Sequence, residues 1–210
     1  ELSATRTITD ADGDSYTTSA AIDLGGNVSF TDVGPSITAL TYATSGAVST
    51  DETSQLNVTV TGTSSVFSGG VVTAGADGGT PDTSLVIDNA VTGWSTTAGD
   101  HAITLVADAD NNNIVYGKYD SDGNGSLDAN AFKVQIGDDG KLSVTQYVAM
   151  QHPTAGDNNE SMTLDGKLSV NIAISDGDKD TASQSLSIGQ AISFYDDGPS
   201  LSSIASSVIP

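Results

Sequence analysis

Apolar and polar residues alternate along much of this 210-residue chain. Leu56, Val58 and Val60 share one face, with Asn57, Thr59 and Thr61 opposite. Phe132, Val134 and Ile136 repeat the pattern, as do Leu142 and Val144, and then Leu168, Val170, Ile172 and Ile174. A period of two marks a strand with one face buried. Shorter strands are expected at Leu85–Ile87, Ile103–Val106 and Ile114–Tyr116. Gly-Gly, Asp-Gly, Asn-Gly and Gly-Pro steps lie between these segments, supplying positive φ or a preset bend. No amphipathic stretch with helical spacing stands out. The pattern predicts an all-β fold, an antiparallel β-sandwich of many short strands.

Two blocks of sequence recur. Ile8-Thr-Asp10-Ala-Asp12-Gly-Asp14-Ser is matched by Ile174-Ser-Asp176-Gly-Asp178-Lys-Asp180-Thr. Val28-Ser-Phe30-Thr-Asp32-Val-Gly34-Pro35-Ser36-Ile37 is matched by Ile192-Ser-Phe194-Tyr-Asp196-Asp-Gly198-Pro199-Ser200-Leu201. The stretch joining the two blocks is two residues longer in the first copy. The chain thus opens with a copy of the element near its end, as expected of a window from a tandem array. Residues 1–34 are expected to be tail strands resembling the end of a preceding repeat, either separate or packed into the same domain. Residues 35–200 would form the β-sandwich repeat, and 201–210 a linker or the start of the next. Glu1 follows no basic-then-apolar leader and reads as a cut from something longer.

Charge adds a function class. Six Lys and Arg stand against 27 Asp and Glu, a formal charge of −21. Such a surface repels nucleic acid and anionic lipid and attracts cations. Most of the acids form short clusters with Gly and Asn between alternating segments, which argues against disorder. Cysteine is absent, so disulfides, thiolate zinc sites and cysteine nucleophiles are excluded. A domain without bridges can gain stability from a metal that binds only its folded state. No apolar run approaches the roughly 18 residues of a membrane-spanning helix.

Three acidic patterns carry candidate chemistry. Asp120-Ser-Asp122-Gly-Asn124-Gly-Ser126-Leu-Asp128 matches an EF-hand loop over its first nine positions, with Gly125 at the turn and Ser126 offering its carbonyl. Ala131 replaces the closing bidentate Glu, and no helices are expected beside it. It is either a calcium loop on a hairpin or a solvated turn whose Asp and Asn side chains cap their own backbone. The second pattern is the twin triad Asp10, Asp12, Asp14 and Asp176, Asp178, Asp180. Three carboxylates on alternate residues repel one another on an extended strand or ring a concavity in a turn; a cation relieves either arrangement. The third is Asp32 before Gly34-Pro35 and Asp196-Asp197 before Gly198-Pro199, with Asp51-Glu52 as a partner that could reach the same boundary. Solvated acidic turns are the alternative throughout. Asp108 to Asn113 and Asp138-Asp139-Gly140 read as hairpin tips, Asp157 to Glu160 as a polar loop, and Trp94 as a core or rim aromatic.

The paired triads and Ile-Ser-Phe-x-Asp-Asp-Gly-Pro-Ser resemble the tandem repeats of RTX adhesins of Gram-negative bacteria. Phe132-Lys-Val-Gln-Ile, Gly140-Lys-Leu-Ser-Val-Thr-Gln-Tyr147 and His152-Pro153 are similar to a repeat of domain-of-unknown-function type found in them. The resemblance covers most of residues 35–200. It implies a sandwich held by Ca2+, exported by a type I system and folded outside the cell at the bacterial surface, where calcium is abundant. Asp32-Val33 in place of Asp196-Asp197, and Lys179 in place of Gly13, are departures that bear on ligands in one copy each. The expected role is a calcium-stabilised scaffold supporting adhesion and biofilm attachment. Its partners would be neighbouring domains of the same chain and a host-cell or surface ligand of the parent, with the isolated domain a monomer. The alternative is direct binding of a glycan, peptide or ice. No enzyme is expected: His101 and His152 lie near no serine-centred motif.

Overall fold

The computed structural model describes residues 3–17, 22–23, 25–154, 157 and 159–197. The expected linker at 201–210 and the Gly198-Pro199-Ser200-Leu201 step lie outside these residues. The chain divides into two compact units, residues 1–33 and 34–210. Both are built from strands. Among the described residues the only helical segments are 3-10 turns, at Gly25–Asn27, Thr44–Gly46 and Gly189–Ala191. None is long and apolar enough to cross a membrane.

The first unit contains β1 (Ser3–Ala4), β2 (Thr7–Thr9), β3 (Ser15–Thr17) and β4 (Ile22–Asp23). β1 pairs with β4 and β2 with β3, both antiparallel. The second unit opens with β5 (Ser36–Ile37), β6 (Leu40–Tyr42), β7 (Val48–Asp51), β8 (Thr59–Thr61), β9 (Phe67–Gly69) and β10 (Val72–Thr73). It continues with β11 (Asp82–Ile87), β12 (Val91–Ser95), β13 (Ala102–Ala107), β14 (Ile114–Tyr119) and β15 (Ala129–Ile136). It ends with β16 (Leu142–Gln146), β17 (Ser161–Thr163), β18 (Leu168–Ser175), β19 (Thr181–Ser187) and β20 (Ile192–Tyr195).

Six strands in the order β12-β13-β14-β15-β16-β8 make the largest sheet. Facing it across the core are β11-β18-β19 and β17-β20-β7. The expected alternation holds in the long strands: Phe132, Val134 and Ile136 of β15 and Leu168 and Val170 of β18 are fully buried. It fails at Leu56-Val58-Val60. Asn57 takes a left-handed φ of 63° while its amide donates to the Gln146 carbonyl at 2.7 Å. This breaks the pleat, leaves Val58 exposed, and delays the strand to Thr59.

Among the described residues every ladder is antiparallel except one. β20 lies between β17, antiparallel, and β7, parallel, with Ile192 opposite Val48 and Tyr195 opposite Asp51. This seats Phe194 against Phe132 and Trp94, with ring centroids 4.8 and 5.6 Å apart; Trp94 and Phe132 are 6.0 Å apart. Gly117 of β14 sits opposite Phe132, and a Cβ there would collide with the ring. Glycine in a strand interior often marks such a close approach.

The aromatic trio joins both layers, so Phe132→Ala should lower unfolding free energy by about 3–5 kcal/mol, the usual cost of emptying a buried aromatic site. Chemical denaturation monitored by circular dichroism checks this, with β-sheet content retained at zero denaturant.

Candidate metal centre

The hairpin β18–β19 pairs Ser175 with Thr181, leaving Asp176 to Asp180 as its tip. The Asp176 amide donates to the Asp180 carbonyl at 3.0 Å and the Lys179 amide to the Asp176 carbonyl at 3.2 Å. Two backbone bonds of this kind close a three-residue loop whose last residue must turn left-handed. Lys179 does so, with φ 79°. The curl draws carboxylate oxygens of Asp176, Asp178 and Asp180 to within 4.8 Å of one another. Asp176 is only 8% exposed and accepts the Asp180 amide at 2.8 Å. Loss of water, and then the adjoining Asp178 carboxyl, raises its pKa above the ordinary value.

A fourth acid joins this turn that the sequence pattern did not single out. Asp77 places a carboxylate oxygen within 4.8 Å of Asp178. It arrives because Gly79, at φ 158°, bridges to Asp176 and brings the preceding loop alongside Gly177. Nothing in the local Gly-Ala-Asp-Gly-Gly sequence announces a long-range contact of this sort.

The first unit builds the same turn. Asp10 donates its amide to the Asp14 carbonyl at 2.9 Å, Gly13 donates to the Asp10 carbonyl at 3.3 Å, and the Asp14 amide reaches Asp10 Oδ1 at 3.1 Å. Gly13 holds the left-handed position, φ 98°, that Lys179 holds in the other copy. Asp10, Asp12 and Asp14 again gather oxygens within 4.8 Å, here exposed to solvent. The Asp10 pKa is lowered, first by the hydrogen bond with the Asp12 side chain and further by loop amides. The same backbone therefore carries an open triad in one copy and a partly dehydrated one in the other.

The Asp120–Asp128 loop is arranged differently. Asp120 Oδ1 accepts the amides of Gly123 at 2.7 Å, Asn124 at 3.2 Å and Asp122 at 3.3 Å, and Oδ2 that of Gly125 at 2.6 Å. Asp128 accepts the Ser121 amide at 2.9 Å, Asp122 the Asn124 amide at 3.1 Å, and Asn124 Oδ1 the Ser126 amide at 2.8 Å. These bonds lower the pKa of Asp120 (Gly125 amide first) and of Asp128 (Ser121 amide first). The carboxylates of Asp120, Asp122 and Asp128 do not converge as the triads do. In this geometry the side chains cap their own loop.

Acids around the Gly-Pro steps divide. Asp32 is exposed, outside any strand of the first unit. In the second unit the β7–β20 ladder brings Asp51–Thr53 beside Tyr195–Asp197: the Thr53 hydroxyl donates to Asp197 at 3.1 Å and the Thr53 amide to Asp51 at 2.8 Å. The Asp197 amide donates to Asp196 at 2.8 Å. Glu52 turns inward instead. Its Oε1 accepts Gln146 Nε2 at 2.7 Å and the Met150 amide at 2.8 Å, with His152 Nε2 3.7 Å away. Burial is the main cause of its raised pKa. The His152 ring, 3% exposed, has no hydrogen-bond partner on either nitrogen. It lines a cleft of about 430 Å³ together with Trp94, Thr92 and Thr163.

A family model described as a domain of unknown function (DUF5801) matches residues 47–189, all within the second unit. No curated protein and no solved structure matches the chain.

Two outcomes follow from these geometries. Glu52→Ala strands the Gln146 and Met150 donors in the interior and should cost about 3 kcal/mol, whereas Glu52→Gln keeps an acceptor. The folded-state pKa of Glu52 lies above its ordinary 4.5, so its favourable contribution is complete below that value and lost as pH rises through the raised one. Melting temperature against pH should therefore fall less steeply for Glu52→Gln than for the parent above pH 4.5. Separately, Lys179→Gly should stabilise the chelator-treated protein by about 1 kcal/mol by relieving the left-handed side chain; urea titration reads the change.

Proposed function

The chain belongs to the DUF5801 family, and from that premise we propose that it is a calcium-stabilised structural module of a secreted bacterial surface protein of RTX-adhesin type. The observation that carries this reading is the triad turn built twice, with three carboxylates converging in each copy and Asp77 added in the second. Converging carboxylates repel unless protonated or bridged by a cation. Burial, and then the Asp178 carboxyl, raise the pKa of Asp176, so a proton is one remedy in this geometry; a hard oxygen-seeking ion such as Ca2+ is the stronger one at neutral pH. The donor set is all carboxylate oxygen, which fits calcium and not a thiolate or imidazole metal. Asp176, Asp178 and Asp180, with Asp77, would hold the ion in the second unit, and Asp10, Asp12 and Asp14 in the first.

Calcium here supplies folding energy and no reaction. Few cations offset the charge: six Lys and Arg stand against 27 Asp and Glu, and of these Lys141 pairs with Asp139. A chain of charge −21 without disulfides would stay loose in calcium-poor cytosol. It would tighten on meeting external calcium, as export followed by folding at the cell surface requires. The module would then stiffen a long adhesin and leave target recognition to other parts. The cleft beside Trp94 and His152 favours a second reading, in which this domain also holds a small ligand of the parent.

Thermal melts test the calcium reading. About 10 mM calcium should raise the melting temperature by several degrees over EGTA. Asp178→Asn should abolish most of the increment while leaving the EGTA melt equal or higher, because a repelling charge is gone. A calcium response of zero in the parent would overturn the proposal.

A further inference from the structure

The repeat is structural to the level of strand register. Ser3 and Ala4 pair with Asp23 and Ile22 as Ser169 and Val170 pair with Ser187 and Leu186. Thr7, Ile8 and Thr9 pair with Thr17, Tyr16 and Ser15 as Ala173, Ile174 and Ser175 pair with Ser183, Ala182 and Thr181. The 3-10 turn Gly25–Asn27 stands where Gly189–Ala191 stands in the second copy. The two extra residues of the first copy fall between Thr17 and Ile22. Among the described residues, 3–17, 22–23 and 25–31 thus stand at the positions of β18, β19, the 3-10 turn and β20.

Burial does not repeat. Ile174 is 2% exposed, and Ile192 and Phe194 are fully buried; their counterparts Ile8, Val28 and Phe30 are 60, 48 and 95% exposed, and Tyr16 is 76% exposed. In the second copy β20 is flanked by β17 and β7, Phe194 packs on the rings of Phe132 and Trp94, and Ala182, the counterpart of Tyr16, is half-buried opposite Ile174. Residues 28–31 form no strand, whereas β20 has a partner on each side. Gly25 occupies the position of Gly189, where a Cβ would collide with the Leu164 carbonyl.

We propose that Ile8, Tyr16, Val28 and Phe30 form a docking face whose occupant is a β-sandwich of this same family lacking its own β18–β20. On docking, residues 28–31 become the missing strand, between the counterparts of β7 and β17, and Phe30 enters the aromatic trio in place of Phe194. The interface is the one that residues 169–197 already make inside the second unit, supplied by another domain. It is independent of whether calcium occupies the turns.

The chain lacks cysteine, so single thiols report the face directly. Val28→Cys is compared in two proteins: the 210-residue chain, and a longer one in which a copy of residues 34–168 is joined ahead of Ser3. Asn27 holds the place of the fully buried Ala191, so the longer protein carries Asn27→Ala to suit this acceptor. Maleimide labelling of Val28→Cys should be fast in the 210-residue chain and at least ~100-fold slower in the longer one, as expected for a site opened only by unfolding. Ile192→Cys should be slow in both, and Phe30→Cys should repeat the Val28→Cys result. Equal labelling of both residue-28 thiols while Ile192→Cys stays protected would overturn the proposal. So would protease digestion of the added 34–168 segment while the remainder resists.

Discussion

Phe194 can reach Phe132 and Trp94 only because β20 is wedged between β17 and β7. That placement makes a late strand of the chain the neighbour of an early one. It ties the two layers of the sandwich through three aromatic rings and brings Asp51–Thr53 to Tyr195–Asp197. The contact joins residues at opposite ends of the second unit in sequence, so it closes a long loop, at an entropic cost that grows slowly with loop length. The acidic turn lies in the other sheet of this layer, at the tip of β18 and β19, whose ladder joins β11.

That turn adds an electrostatic constraint to the packing one. Its backbone bonds curl the tip irrespective of which residue turns left-handed, Gly13 in one copy and Lys179 in the other. The curl converts alternate acids into converging ones, so carboxylate repulsion is a consequence of the hairpin and not of acidity as such. The Asp120 loop shows the contrast. There the side-chain oxygens accept loop amides, the charges are stabilised one by one, and the carboxylate pKa values of Asp120 and Asp128 fall. Asp176, partly dehydrated among like charges, moves the other way.

Much of this was legible in the residues. Alternation marked the long strands because one face of each is buried, and the repeated blocks marked the two turns because the same backbone closes both. Asn57 broke the Leu56–Val60 pattern through a left-handed residue that period-two reading does not detect. β19 and β17 carry no strand pattern of their own, since Thr181–Ser187 is mostly small and polar and Ser161–Thr163 is three residues long. Asp77 and the inward turn of Glu52 depend on long-range neighbours. The EF-hand spacing around Asp120 was the sharpest motif in the sequence and forms the less convergent cluster, because hydrogen bonds to amides compete for the same oxygens.

The equality of register between residues 3–23 and 169–187 sets a folding problem. Two segments of one chain carry the same strand register, and on the docking proposal above both would suit one groove; the first leaves the ribosome before the strands that form the groove are complete. Strand invasion by the early copy would give a misassembled sandwich of the kind that repeated domains are prone to. Asn27 works against it: in this groove it would bury an amide where Ala191 needs no partner, at a cost of about 1–3 kcal/mol. On that proposal, a small difference between otherwise matching copies, Asn27 against Ala191, would act as an address, steering each closing segment to its own acceptor.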